Sequence, residues 1–571
     1  MIHALGDLNK HFMDNLFQDV VSRSLTVVDH ADAAQSLLTG LLKYHSDFVT
    51  PFLVSSIYFN NAEASSFESY SPSRFQSYMG LLEFNLDLLS RYLDSSLRAI
   101  DAYNRKELKH YVTALYNSMF NLKGEKLEEF FTRQAEMVRN VTRKLPQAIS
   151  DIEPEYGFHF ERGKNIRFAE TDRFFLYQIM PTDSKVKIRE ERKPVMIIPP
   201  FVLGSNILAF LPGEKRSYAH SFANQGVPTY IRIMKDIKTT PAFQMMTPED
   251  DARDTRLFCE KIKERHGKMV TLNGYCQGGY TAVCNVLSGE LDGLVDALIT
   301  CVSPMDGTRS TGLGNFLKTL PPRFNDLIYG TKTLANGNKV ADGNLMGWVY
   351  KLKSIENEAP MVSFFRDLSM VAAGNGQSPQ ISKTAAALHY WLQNERSDLP
   401  LSITKMSFAS YNIPVTDDGT LPVKMFARKL NFKGIRDKKI PWLICYGESD
   451  DLVEKETALA PLDYVDAEVT PFPKGHVAIA TSWSHPESEC ALHKRFGKNN
   501  YRGPVRFQLD LDDALEKSGK SVPVARKSSA SRKASGPDLL TSAKSAKPGS
   551  GTMAKKLKTT SPSKTGNRRE K

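Results

Sequence analysis

Cys276 stands at the tip of M-V-T-L-N-G-Y-C-Q-G-G-Y-T-A-V-C (269–284), which reads as a strand, a glycine-pinched turn and a helix. A nucleophile held on such an elbow needs small neighbours, because its strained backbone passes close to the adjoining strand and helix. Gly274, Gly278 and Gly279 supply them. The backbone N–H of Gln277 opens the helix, where it can stabilise a developing oxyanion and favour a thiolate. The competing reading is a buried cysteine that packs as a small hydrophobe. Residues downstream decide between the two.

A thiol nucleophile needs a base, and the base an orienting acid, in the order nucleophile, acid, histidine for this kind of sheet. After a strand at Pro441–Tyr446, the run G-E-S-D-D-L-V (447–453) puts Asp450 and Asp451 in a strand-end loop. After a short strand at Ala467–Pro471, P-K-G-H-V-A (473–478) does the same for His476. Asp306, at the end of the strand that follows the elbow, is a further candidate for the acid. His389 and His485 read as structural. No cluster suggests a metal site, and no cofactor is expected.

The elements that must position these residues follow from periodicity. From about Tyr156, short β-rich runs at Phe174–Met180, Val195–Ile198, Thr229–Ile233, Met269–Leu272, Ala297–Val302 and Trp442–Tyr446 alternate with helical stretches such as Pro248–Arg265 and Gly279–Ser288. Such alternation predicts an α/β architecture with a parallel sheet covered on both faces and chemistry beyond its carboxyl ends. The catalytic region is expected over 156–515. Within it, residues 307–437 interrupt the alternation with aromatic clusters and loop signals. They read as a cap that excludes water from a reactive acyl intermediate.

Residues 1–155 read as helical. Ser71-Pro72 opens a helix whose Phe75, Met79, Leu82, Leu86, Leu89, Leu93, Leu97 and Ile100 share one face. A second stripe carries Leu127, Phe130, Phe131, Val138, Val141 and Leu145. Both are expected to pack as core, the alternative being a face offered to a partner or a lipid-like surface.

Residues 516–571 are rich in Lys, Ser, Ala, Thr and Pro and are expected to be disordered. From Lys517 onward, 15 Lys and Arg face only Asp538 and Glu570, a net of +13; with the whole chain at +11, the remainder carries −2. The tail therefore reads either as a solubilising appendage or as a segment attracted to nucleic acid or polyphosphate without sequence readout. The six cysteines show no regular spacing, which predicts reduced thiols and a cytoplasmic setting. The opening residues do not resemble a signal peptide, and the most apolar run, Val195–Pro212, is broken by Pro199, Pro200 and Gly204.

P-P-F-V-L (199–203), G-Y-C-Q-G-G (274–279), S-P-M-D (303–306), L-H-Y-W-L-Q-N (388–394), G-E-S-D-D-L-V (447–453) and G-H-V-A (475–478) together resemble the polyhydroxyalkanoate synthases over about residues 155–485. The resemblance implies an α/β-hydrolase fold, with Cys276 carrying the growing polyester, His476 activating it and Asp450 assisting. It also implies an oxyanion hole from Gln277 and a backbone N–H near Phe201 or Val202. The implied partners are 3-hydroxyacyl-CoA, the polyester chain, a second copy in a homodimer and a storage-granule surface. The sequence departs from the family where P-P-x-I-N is Pro199–Leu203, where Ile479–Ser484 replaces a glycine and proline pair, and where a tryptophan is missing from Ile231–Pro241. These departures mark a divergent member. The alternatives are a cysteine-dependent polyester depolymerase or acyl-CoA thioesterase of the same fold, and a non-catalytic granule-associated protein with a polyanion-binding tail.

Overall fold

A computed structural model describes residues 72–517 apart from 321–326, 328–329 and 372–380, together with residues 35, 38, 40–46 and 60. The basic tail beyond Lys517 lies outside the described residues, as does most of the chain before Pro72.

Eight strands form the central sheet: β1 (Ile166–Glu170), β2 (Phe174–Ile179), β3 (Val195–Ile198), β4 (Thr229–Met234), β5 (Val270–Tyr275), β6 (Val295–Cys301), β7 (Trp442–Gly447) and β8 (Glu468–Phe472). Their spatial order is β1-β2-β4-β3-β5-β6-β7-β8. Strands β3 to β8 run parallel, while β2 is antiparallel to both β1 and β4. This is the expected parallel sheet, with an antiparallel β2 near one edge. The physical reason is the short link from Glu170 to Phe174, which can only reverse the chain; a parallel neighbour would need a crossover. Every residue of β3 is fully buried, so both faces of the sheet centre are covered.

Two helices seat the elbow against this sheet: α4 (Pro248–His266) and α5 (Gln277–Leu287), which follow α1 (Pro72–Met119), α2 (Leu127–Arg139) and α3 (Leu145–Asp151) in the chain. Thr247 and Asp250 cap α4 reciprocally, and Gly267 closes it in the left-handed region. A buried polar knot then locks α4, α5 and β4 together. The Arg232 guanidinium lies 2.8 Å from Asp251, and Asn285 donates to the other Asp251 oxygen at 2.7 Å.

Between β6 and β7 the chain makes the cap. Where the sequence showed loop signals, the segment is largely helical: α6 (Leu313–Thr319), α7 (Gly343–Lys353), α8 (Pro360–Val371), α9 (Lys383–Asn394) and α10 (Leu401–Asn412). Side-chain caps at Asp342 and Ser382 start α7 and α9. A hairpin, Thr420–Met425 with Arg428–Asn431, leads back toward β7.

The N-terminal stripe corrects an expectation. The second stripe is mostly buried, through Leu127, Phe130, Val141 and Leu145, but the first is not. Leu81, Phe84 and Leu88 dock α1 instead, and the predicted stripe from Phe75 to Leu97 faces outward. Two apolar stripes share this helix, and periodicity alone does not say which one finds a partner. No described helix is long and apolar enough to cross a membrane.

The Asp251 knot yields a stability test. Asp251→Ala leaves Arg232 buried with its charge uncompensated, and should cost about 3–5 kcal/mol in chemical denaturation followed by circular dichroism.

Candidate active site

The elbow forms as its glycines require. Cys276 has φ 53° and ψ −127°, a conformation costly for a residue with a side chain. A Cβ on Gly274 would lie 2.3 Å from the Gly279 Cα, and one on Gly278 would lie 2.3 Å from the Ile198 carbonyl oxygen. A Cβ on Gly279 would overlap the Ser303 hydroxyl. The glycines therefore let β5 and α5 close on each other and on the end of β3. The Cys276 N–H donates to the Cys301 carbonyl at 2.8 Å, which fixes the elbow to the end of β6.

His476 follows β8, and Asp450 follows β7. His476 Nδ1 lies 2.8 Å from Asp450 Oδ2, with both side chains buried. The other carboxylate oxygen of Asp450 accepts the N–H groups of Leu452 at 3.0 Å and Val453 at 2.9 Å, so the loop's own backbone aims it. The Tyr275 hydroxyl donates to the His476 carbonyl at 2.9 Å and ties the histidine loop to the elbow strand. His476 Nε2 is buried without a hydrogen-bond partner. Burial opposes the charged imidazole, but Asp450 and then Cys276 outweigh it and raise the His476 pKa well above the ordinary imidazole value.

The two other acids are placed elsewhere. Asp451 is exposed and pairs with Lys353 at 3.1 Å. Asp306 is buried, but its carboxylate takes the Thr308 N–H and hydroxyl and the Arg309 guanidinium, which ties down the chain at the cap's entry. Asp450 alone of the three hydrogen-bonds His476.

Phe201 and Val202 leave the end of β3, buried beside the elbow. The cap holds this loop from the far side. Trp391 on α9 donates its indole N–H to the Leu203 carbonyl at 3.0 Å, and Ser397 donates to the Val202 carbonyl at 3.2 Å. Val202 and Gln277 border a small, mostly apolar cavity of about 40 Å³, lined also by Leu313, Val349, Tyr350 and Tyr411 of the cap. The sequence did not mark Trp391, Tyr350 or Tyr411 for roles here. Trp391 lies in a motif with a recognisable spelling, but its target is nearly two hundred residues away in the chain.

Four of the other thiols are poor nucleophile candidates. All six cysteines are free and buried, but burial pushes the Cys259 thiol up to about 12 and Cys490 up to about 11, and holds Cys284 and Cys445 well above the usual range. No group of three His, Cys, Asp or Glu among the described residues is arranged to hold a metal ion.

The strand order, the antiparallel β2 and the elbow after β5 define an α/β-hydrolase fold with a cysteine at the tip of the elbow. No family model matches the chain, and no curated protein matches it. Solved structures similar to it include the carboxylesterase CesB from Bacillus subtilis (12% identity, TM-score 0.31, 59% of this chain and 92% of that one). An esterase from Rhodococcus is similar at 11% identity (TM-score 0.32, 62% and 98%), and the thioesterase domain from the curacin biosynthetic pathway at 10% (TM-score 0.31, 56% and 95%).

Two tests follow. Because its folded pKa is raised, His476 contributes stability that is complete below the unfolded imidazole pKa of about 6.5 and is lost as pH rises through the folded value. In NMR titration the His476 ring should therefore titrate higher in the wild type than in Asp450→Asn. Gly278→Ala should cost about 1–3 kcal/mol in thermal denaturation, because the new methyl meets β3 backbone rather than a movable side chain.

Proposed function

We propose that this chain is an acyltransferase that moves 3-hydroxyacyl groups from CoA onto Cys276 and then onto a hydroxyl, extending a polyhydroxyalkanoate chain. The observation that carries this reading is the Cys276 elbow beside the His476–Asp450 pair, roofed by a cap that leaves Cys276 only 7% exposed.

In the proposed cycle His476 Nε2 takes the Cys276 proton, and the sulfur attacks the thioester carbonyl carbon. The N–H of Gln277 and a backbone N–H near Phe201 or Val202 hold the oxyanion. The carbon–sulfur bond to CoA breaks, and CoA leaves as the thiol with the proton from His476. One thioester has replaced another at little free-energy change, so the acyl group stays activated. A 3-hydroxyl then gives its proton to His476, its oxygen attacks the acyl-cysteine, and the cysteine sulfur departs and regains that proton. Asp450 holds the Nδ1 proton throughout and stabilises the imidazolium.

Water exclusion is what separates this reading from thioester or polyester hydrolysis by the same residues. The apolar lining of the cavity under the cap favours transfer, since an acyl-cysteine kept dry waits for a hydroxyl that enters through the cap. A granule surface and a polyanion for the basic tail remain proposals consistent with this activity.

Free-thiol release from 3-hydroxybutyryl-CoA, with the acyl product fractionated by mass, tests the reading. Wild type should release CoA and leave high-mass polyester, Cys276→Ala should lose about 10³-fold or more, and Asp450→Asn about 10²–10⁴-fold. Release with only free hydroxy acid would make the chain a thioesterase.

A further inference from the structure

The end of α9 grips the loop after β3 at more points than Trp391 and Ser397. Glu395, the residue that closes α9, accepts the Asn206 side-chain N–H at 2.6 Å, a short bond of the kind a charged acceptor makes. Its other carboxyl oxygen lies against Gly204, where a Cβ would come within 2.5 Å of it. Gly204 has φ 71°, so its conformation and this contact both call for glycine. The Asn206 side-chain oxygen is held in turn by the Phe158 N–H at 3.2 Å. Arg396, next in the chain, turns to the carbonyls that end α9, at Leu392 (2.9 Å) and Trp391 (3.4 Å).

We infer that Glu395 is a positioning residue for the oxyanion hole: through Asn206 and Gly204 its carboxylate holds the loop that aims a backbone N–H near Phe201 or Val202, and its ionisation sets the rate at which Cys276 is acylated. The inference rests on reading Cys276 as the residue that accepts an acyl group, but not on CoA or a polyester.

The loop runs between two cavities. Val202 borders the small one beside Gln277, while Phe201, Asn206 and Glu395 line another of about 450 Å³, through which Glu395 can exchange a proton. Burial pushes the Glu395 pKa up to about 7, against the Asn206 side chain, the Arg396 charge and the Asn206 backbone N–H, which favour the anion. The groups facing it are Arg396, Tyr390 on α9, and Tyr156 from the segment before β1; burial holds both phenols above their ordinary value. Lys332, paired with Asp398 at 2.7 Å, shares the cavity, as do Arg232 on β4 and Lys235, Asp236 and Lys238 after it. A neutral carboxyl accepts hydrogen bonds more weakly than a carboxylate, so the grip on Asn206 loosens as pH falls through about 7.

Two reagents that react differently with Cys276 test this on the full-length chain. With p-nitrophenyl acetate the sulfur bonds to the acetyl carbon through a tetrahedral oxyanion, the thiol proton passes to His476, and p-nitrophenolate leaves as its C–O bond breaks. With iodoacetamide the sulfur displaces iodide, and no oxyanion forms. The ratio of first-turnover p-nitrophenol release, less that of Cys276→Ala, to alkylation of the Cys276 peptide cancels the ionisation of the thiol and His476. In wild type this ratio should rise about tenfold between about pH 5.5 and about pH 8.5, with its midpoint near 7. Glu395→Gln should give a flat ratio near the wild-type value at low pH. Glu395→Ala should lower the ratio about 10²-fold at the high end, with alkylation rate and melting curve little changed; should alanine unfold the chain, the glutamine variant decides. A pH rise that survives in Glu395→Gln, alkylation slowed as much as acylation, or a wild-type Cys276 that is never acylated overturns the inference. Intact acylation by p-nitrophenyl acetate without release of CoA from 3-hydroxybutyryl-CoA would count against the transfer reading alone.

Discussion

The close approach of β5, α5 and β3 around Cys276 is the constraint on which the site depends. Holding a residue with a side chain at φ 53° costs about 1–3 kcal/mol, and the surrounding packing must repay it. Here it is repaid by contacts that only glycine permits at positions 274, 278 and 279, and by the bond from Cys276 N–H to Cys301. The same turn places the Gln277 N–H at the start of a helix. Because Gly278 touches the end of β3, the elbow and the Phe201–Val202 loop are set by one contact rather than two.

Much of this was legible in the sequence because it is local. Glycines around one cysteine, an acid after one strand and a histidine after the next are all spelled within a few residues of their element. The choice between Asp450 and Asp451 was not, since adjacent residues in a loop point in opposite directions. The N–H groups of Leu452 and Val453 orient Asp450 inward, and Lys353 of the cap holds Asp451 outside. Asp306 looked equally plausible from its place after β6, but its neighbours Thr308 and Arg309 occupy its carboxylate.

What the sequence hid depends on contacts across long chain separations. The stripe on α1 has the spacing of a core-facing helix, yet the docking face is the other one, chosen by Ile355–Glu358 and α8 more than two hundred and fifty residues later. The helical character of the cap was masked by the turn residues between its short helices. Trp391 spells nothing by itself, and only the fold brings its indole to the carbonyl of Leu203. The cap is thus both roof and clamp: α9 holds the loop after β3, and α7 and α10 line the cavity.

The central claim is that Cys276 becomes acylated, and the most direct measurement is intact-peptide mass spectrometry after brief mixing with 3-hydroxybutyryl-CoA and acid quenching. The account predicts a 3-hydroxybutyryl adduct on the peptide containing Cys276, lost when Cys276 is replaced by alanine and slower to appear in Asp450→Asn. An adduct on any other residue, or turnover of the thioester with Cys276 unmodified at every time point, would contradict it.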